Sequence, residues 1–188
     1  MTLEEVNKII DKATSQMEQA LEHLNHELSK VRTGKASPGL VQEIKVEYYG
    51  TPTLLSQVAN VSASDAKTIV IQPWEKPMLK VIENALFEAN LGITPMNDGE
   101  VIRLTIPPMT EDRRKDLVKQ AKHLAEEAKI SIRNVRRDSM EAIKKMVKDG
   151  LAEDMGKRKE DEVQKLTDEH SDKALKYAEA KEKDILTI

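Results

Sequence analysis

The sequence predicts an α+β protein of two domains, a long three-helix bundle interrupted by a small inserted α/β domain. Three observations predict this. Leu3–Arg32 repeats apolar residues in steps of three and four, from Leu3, Val6, Ile10 and Ala13 through Met17, Ala20, Leu24, Leu28 and Val31. That is the seam of a helix packing nearly parallel or antiparallel to others. Two further long amphipathic stretches fill the last eighty or so residues, divided by Asp149-Gly150. Between the first helix and Pro107 the period instead becomes strand-like, with frequent turns.

Taken in order, the first helix stops at Thr33-Gly34, since glycine suits a helix C-terminus, and Ser37-Pro38-Gly39 breaks regular structure. Ile44, Val46 and Tyr48 alternate with Lys45, Glu47 and Tyr49 as a strand, and Tyr49-Gly50-Thr51-Pro52 reads as a turn. Val58–Val61 and Thr68–Ile71 are short β-rich runs. Lys76–Ala89 reads as a helix ended by Asn90-Leu91-Gly92, and Asn97-Asp98-Gly99 as a turn before a strand over Val101–Ile106. Pro107-Pro108 closes the module. Thr110 is a good N-cap, with Glu111 and Asp112 in the first turn where the helix dipole favours acids. The last helix starts within Leu151–Asp154, with Gly156 weakening its first turns and a seam of Val163, Leu166, His170, Ala174, Tyr177 and Ile185.

Three amphipathic helices need one another, so residues 1–32 and 107–188 are expected to form the bundle and residues 33–106 the inserted domain. The two crossings carry Thr33, Gly34, Ser37 and Pro38, and Ile106, Pro107 and Pro108. Two short neighbouring links of this kind predict a hinge.

The 188 residues contain no cysteine, which excludes disulfides, cysteine-ligated zinc and thiol catalysis and suits a reducing cytosol. No apolar run reaches membrane-spanning length, and acidic residues within Met1–Asp11 argue against a signal or transit peptide. No phosphate-binding glycine loop, nucleophile elbow or metal motif is present. His23 and His26, three apart, lack a third ligand. His170 falls on the helical seam and is expected to be packed rather than catalytic. Tyr48, Tyr49, Trp74 and Phe87 suit base stacking, but packing in the small domain is the favoured expectation.

The middle helix is the functional candidate. Glu111–Lys148 holds 12 Lys+Arg against 7 Asp+Glu in a chain whose net charge is −3. Leu117, Ala121, Leu124, Ala128, Val135, Ala142 and Met146, with Val118, Ile132 and Ile143 beside them, mark its expected inward face. With Val135 at 0° and 100° per residue, the sector between roughly 120° and 220° holds Lys115, Lys119, Lys122, Lys129, Arg133, Arg137, Lys144 and Lys148, with the acid Glu126 among them. Arg136 lies about 100° away, on the flank, in the same count. A solvated helix face is the ordinary meaning of a charge run. Here like charges recur at four-residue spacing, where they repel, and the planar forks of Arg133, Arg136 and Arg137 suit phosphate. A focused contact with a polyanion follows.

Five strings carry a family resemblance: Lys30-Val31-Arg32-Thr33-Gly34-Lys35-Ala36-Ser37-Pro38; Val46-Glu47-Tyr48-Tyr49-Gly50-Thr51-Pro52-Thr53; Ile106-Pro107-Pro108 with Thr110-Glu111-Asp112-Arg113-Arg114-Lys115-Asp116-Leu117; Arg133-Asn134-Val135-Arg136-Arg137-Asp138; and Gln164-Lys165-Leu166-Thr167-Asp168. Together, in order, they resemble the ribosome recycling factors. Leu54, Met109 and Asp112 depart from the family's commoner residues without removing a basic group. The resemblance implies an L-shaped molecule and a non-enzymatic, monomeric translation factor without a cofactor. It implies binding of the 70S ribosome, with the bundle on large-subunit ribosomal RNA. It also implies that elongation factor G, using GTP, drives subunit splitting and release of mRNA and tRNA. It places the RNA-binding residues at Arg32, Arg133, Arg136 and Arg137, with Arg114 weaker; Lys122 and Lys129 join them from the stripe. The lack of an N-terminal extension resembles a bacterial, cytoplasmic form. A helical, chaperone-like protein that binds other proteins is the alternative, distinguished by binding insensitive to salt.

Overall fold

The computed structural model describes residues 3–187; Met1, Thr2 and Ile188, at the ends of the expected bundle, lie outside the described residues. The chain forms two compact units, one running up to Thr33 and resuming at Glu111, the other Gly34–Thr110.

The first unit is three helices: α1 (Leu3–Lys30), α3 (Glu111–Lys148) and α4 (Glu153–Leu186), with α2 lying in the other unit. α3 packs against both α1 and α4, and α1 against α4. The core joins Met17, Leu21, Leu24 and Leu28 of α1 to Ala121, Ala128 and Ile132 of α3 and Ala174 of α4. A second cluster of Ile10, Ile143 and Val163 continues it. Alanines along α3 let the neighbouring helices approach closely.

The inward face of α3 differs from the expected one. Leu117, Ala121, Ala125, Ala128, Ile132, Ser139 and Ile143 are buried, whereas Leu124, Val135, Ala142 and Met146 are only half-buried. The core direction is therefore rotated about 45° from Val135 at 100° per residue. Counting by side-chain size misplaced it, because the tightest positions take small residues such as Ala125 and Ser139.

Polar groups that enter this core bring their own partners. Ser139 and Thr167 donate their hydroxyls to the carbonyls of Val135 and Val163, each at 2.8 Å. His170 is buried, as its seam position requires, with Nδ1 2.7 Å from the Leu166 carbonyl. A carbonyl only accepts, so that nitrogen carries the proton. Gly156 is no weak point: it is buried, and a Cβ there would collide with the Val147 side chain of α3. The glycine lets α4 start at Glu153 directly against α3.

The second unit contains a two-stranded hairpin, β1 (Lys45–Tyr48) and β2 (Thr51–Leu54), and an antiparallel sheet of β3 (Ala59–Ala63), β4 (Thr68–Pro73), β6 (Ile102–Thr105) and β5 (Met96–Asn97), in the order β3-β4-β6-β5. Helix α2 (Met78–Glu88) buries Met78, Leu79, Ile82 and Leu86. The core is aliphatic: Val46, Leu55, Ile69, Ile71, Ile102 and Leu104 accompany those α2 residues. β2 and β5 were not expected. The expected turn, Tyr49-Gly50-Thr51-Pro52, is too long: Pro52 pairs with Glu47 in a two-stranded hairpin, where a strand edge tolerates a missing N–H. The turn itself is only Tyr49-Gly50, with φ of 47° and 82°. Two left-handed residues make the tight turn whose twist matches a hairpin.

Candidate nucleic-acid interface

The rotation of α3 decides which basic residues are free. Lys115, Lys119, Lys122, Arg133, Arg137, Lys144 and Lys148 are exposed along one side. At 1.5 Å per residue this row extends for about 50 Å. Lys129 is half-buried, its side chain 23% exposed.

Carboxylates reach into the row from its edges. Glu126 accepts from Arg133 Nη2 at 3.2 Å and lies 3.8 Å from Lys129 Nζ. Lys122 Nζ is 3.4 Å from Glu182 on α4, Arg137 Nε 3.5 Å from Asp138, and Lys115 Nζ 3.0 Å from Glu111. The repulsion expected between like charges is thus partly relieved. Apart from Lys129 and Glu182 these side chains are at least half exposed, so each pair is worth about 0–1 kcal/mol. Exchanging such a carboxylate for a phosphate costs little, so the pairs hold the side chains extended without committing them. Lys119, Lys144 and Lys148 have no carboxylate within ion-pair distance among the described residues.

Arg136 departs from its expected place on an open flank. It is half-buried, and its Nε donates to Oε1 of Gln164 on α4 at 2.7 Å. Gln164 in turn donates to Asp168 Oδ1 at 2.9 Å. With the core rotated toward it, Arg136 joins α3 to α4, so it has a structural role that a purely outward arginine lacks. Arg32 is exposed two residues beyond the end of α1, and Arg114 is half-buried in the first turn of α3. Neither belongs to the α3 row. Gln164, Glu126 and Glu182, which set the arginine and lysine geometry, were not singled out for that role: periodicity within one helix does not reveal partners on the next.

The crossing residues divide into two groups. Ala36 N–H donates to the Ala66 carbonyl at 2.8 Å, and Ile106 N–H to the Lys67 carbonyl at 2.7 Å. Both crossings are thereby pinned to the loop between β3 and β4. Ser37 and Pro38 enter the short helical turn Pro38–Leu40, their carbonyls accepting from Leu40 and Val41. Thr33, Gly34, Pro107 and Pro108 lie outside these bonds. Gly34 has φ of 76°, and the Met109 side chain lies 3.1 Å from where a Cβ would stand. Its backbone needs glycine.

Other candidates resolve simply. His23 and His26 are exposed, and no group of three metal-binding side chains occurs among the described residues. Tyr48 is half-buried, but Tyr49, Trp74 and Phe87 are exposed, against the expectation that they pack the small domain. No helix among the described residues is long and apolar enough to cross a membrane.

Comparison with known proteins places this geometry in context. The family model described as ribosome recycling factor matches residues 24–186. The ribosome-recycling factor of Porphyromonas gingivalis is 52% identical over 185 residues, covering 98% of this chain and 100% of that protein. That of Oleidesulfovibrio alaskensis is 48% identical over 184 residues, covering 97% and 100%. A solution structure of the ribosome recycling factor aligns with 40% identity and a TM-score of 0.77, covering all of both chains. A second structure aligns with 44% identity and a TM-score of 0.62, covering 97% of this chain and 99% of that one. It belongs to models of the Thermus thermophilus factor and Escherichia coli elongation factor G bound to the E. coli post-termination complex.

Proposed function

The chain belongs to the ribosome recycling factor family, and from that premise we propose that it holds large-subunit ribosomal RNA on the basic row of α3. It is a translation factor of ribosome recycling and not an enzyme. Its partners are the post-termination ribosome and elongation factor G, as for the similar factor on the post-termination complex. The factor acts as a monomer in the cytoplasm and needs no cofactor of its own; GTP is consumed by the elongation factor.

The observation that carries the RNA contact is the exposed row Lys119, Lys122, Arg133, Arg137, Lys144 and Lys148 on a chain of net charge −3. Arg32 and Arg114 add charge near the bundle's chain crossings, and Lys129 supports the row from its half-buried edge. Arg136 donates through Nε to Gln164, which leaves its two terminal nitrogens to face a phosphate. The small unit turns about Thr33–Lys35 and Pro107–Thr110, because Ala36 and Ile106 are hydrogen-bonded within it. Proline fixes φ at Pro107 and Pro108, so bending concentrates at Gly34.

Co-sedimentation with large ribosomal subunits at two salt concentrations tests the RNA contact. Each neutralised phosphate releases counterions, so affinity falls steeply with salt. Binding that ignores salt, or that survives removal of both Arg133 and Arg137, refutes it.

A further inference from the structure

The three exposed aromatic residues of the small unit, Tyr49, Trp74 and Phe87, are unexplained by packing; one of them, Tyr49, helps to organise a carboxylate, and Trp74 is its neighbour in the chain. The Tyr49-Gly50 turn sets the rings of Tyr48 and Tyr49 edge to face, with centroids 4.6 Å apart and planes at 76°. Tyr48 donates its hydroxyl to Glu75 Oε1 at 2.8 Å and Tyr49 to Oε2 at 2.7 Å. Each carboxylate oxygen thus takes one phenol and keeps a lone pair open. The backbone N–H of Trp74, next to Glu75 in the chain, donates to the Val58 carbonyl at 3.2 Å. Yet Tyr49 is 77% and Trp74 68% exposed.

The chemistry of such a corner is specific. The shared hydrogen bonds hold the Glu75 carboxyl below its usual range and both tyrosine hydroxyls above theirs. The group facing solvent is therefore an ionised carboxylate bordered by electron-rich rings. Cations are drawn to ring faces, and a guanidinium additionally matches the planar carboxylate. A polyanion is a poor match. Gly34–Thr110 carries eight acidic against six basic residues, so it lacks the positive groove that keeps a nucleic acid against stacking rings.

We propose that Glu75, with Tyr48 and Tyr49 on its two oxygens and Trp74 beside it in the chain, is a seat for an arginine or lysine side chain of a protein partner. Only the source of that partner rests on the ribosome reading; the chemistry of the seat does not.

Trp74 is the sole tryptophan, so the fluorescence comes from the residue next to Glu75. The full chain is titrated with a glycine-serine peptide bearing two arginines, and with the same peptide bearing citrulline. A saturable change is expected for the arginine peptide alone, weakened about tenfold in Glu75→Gln, the size of one charge-assisted contact. Equal responses to both peptides, an unaltered Glu75→Gln variant, or tighter binding of oligouridine would each overturn the proposal. Should Glu75→Gln fail to fold, Tyr49→Asn removes a ring while tolerating the left-handed backbone, and must weaken the peptide equally.

In a second arm a photoreactive residue replaces Trp74, and ribosomes are added with elongation factor G. Cross-linking to a lysine- or arginine-rich protein segment supports the seat. If the chain co-sediments with ribosomes but position 74 cross-links to RNA or to nothing, the seat is wrong and the ribosome reading stands. If the chain does not co-sediment, the ribosome reading fails, and the peptide titration alone decides the seat.

Discussion

Replacing Arg136 by alanine should destabilise the bundle, and replacing Arg133 should not. Arg136 is half-buried between two helices and donates to Gln164 at 2.7 Å, with Gln164 passing the constraint to Asp168 at 2.9 Å. Truncation removes a hydrogen bond from a charged donor, worth about 1.5–3 kcal/mol at the upper end. Water can reach a half-buried Gln164 and recover part of this, so about 1–2 kcal/mol is the expected loss. For a chain of this size each kcal/mol lowers the melting temperature by about 2–4 °C, giving a drop of roughly 2–8 °C. Arg133 is 58% exposed, and its one ion-pair partner among the described residues is Glu126 of its own helix, at 3.2 Å. Its truncation should stay within about 0.5 kcal/mol.

The assay is urea denaturation followed by helical circular dichroism, applied to Arg136→Ala, Gln164→Ala and the double variant. A coupling energy of about 0.5–1.5 kcal/mol is expected for contacting residues. The same cycle on Arg133 and Glu126 should give about 0.2–0.5 kcal/mol, as for exposed helical pairs. Zero coupling between Arg136 and Gln164, together with wild-type stability of Arg136→Ala, would refute the argument that the rotated core gives Arg136 a structural share.

Gly156→Ala should destabilise by about 1–3 kcal/mol despite alanine's better helix propensity, because its Cβ meets Val147; Val147→Ala in the same chain should restore most of the loss, measured by thermal unfolding. Arg137→Ala should lower affinity for large ribosomal subunits and reduce the slope of log K against log salt by about one, read from co-sedimentation at several salt concentrations. Tyr48→Phe should raise the Glu75 carboxyl pKa toward its ordinary value by removing one of the two phenol donors, followed by NMR titration. Because that pKa is depressed in the folded chain, Glu75 contributes stability above its unfolded pKa and loses it as pH falls through the folded value. A reducible disulfide across the two units should leave ribosome binding intact and block subunit splitting until reduced; full splitting in the verified cross-linked state would remove the hinge from the mechanism.

The helices were legible because burial imposes a period, and three long amphipathic stretches admit few arrangements. Their lengths followed from local signals such as Thr33-Gly34 and Asp149-Gly150. Rotation about the helix axis was less legible, and that is what decides which cations face outward. A single helix reveals where its large apolar residues point, but the buried face of α3 is set by two neighbours. Ala125 and Ser139 are inward because the space there is small, which only the partner helices determine. Gly156 illustrates the same logic from the other side, since a residue of poor helix propensity is required where Val147 fills the space. The small unit failed differently. Pro52 in β2 and the two-residue β5 give too little local signal to read as strands. Its exposed tyrosine and tryptophan were assigned to a core that aliphatic residues already fill.

These departures bear on function in one direction. A rotation of about 45° carries Arg136 inward at 100° per residue and leaves Arg133, Arg137, Lys144 and Lys148 facing out. The basic row therefore divides its labour. Arg136, beside the row, spends one nitrogen on the α3–α4 contact. Of the outer residues, Arg133 and Arg137 hold only exposed, exchangeable carboxylates, worth about 0–1 kcal/mol each, and Lys144 and Lys148 have none within ion-pair distance among the described residues. On the proposed RNA contact, a stiff helix with weakly committed cations would bind phosphate without reorganising and would release it as readily.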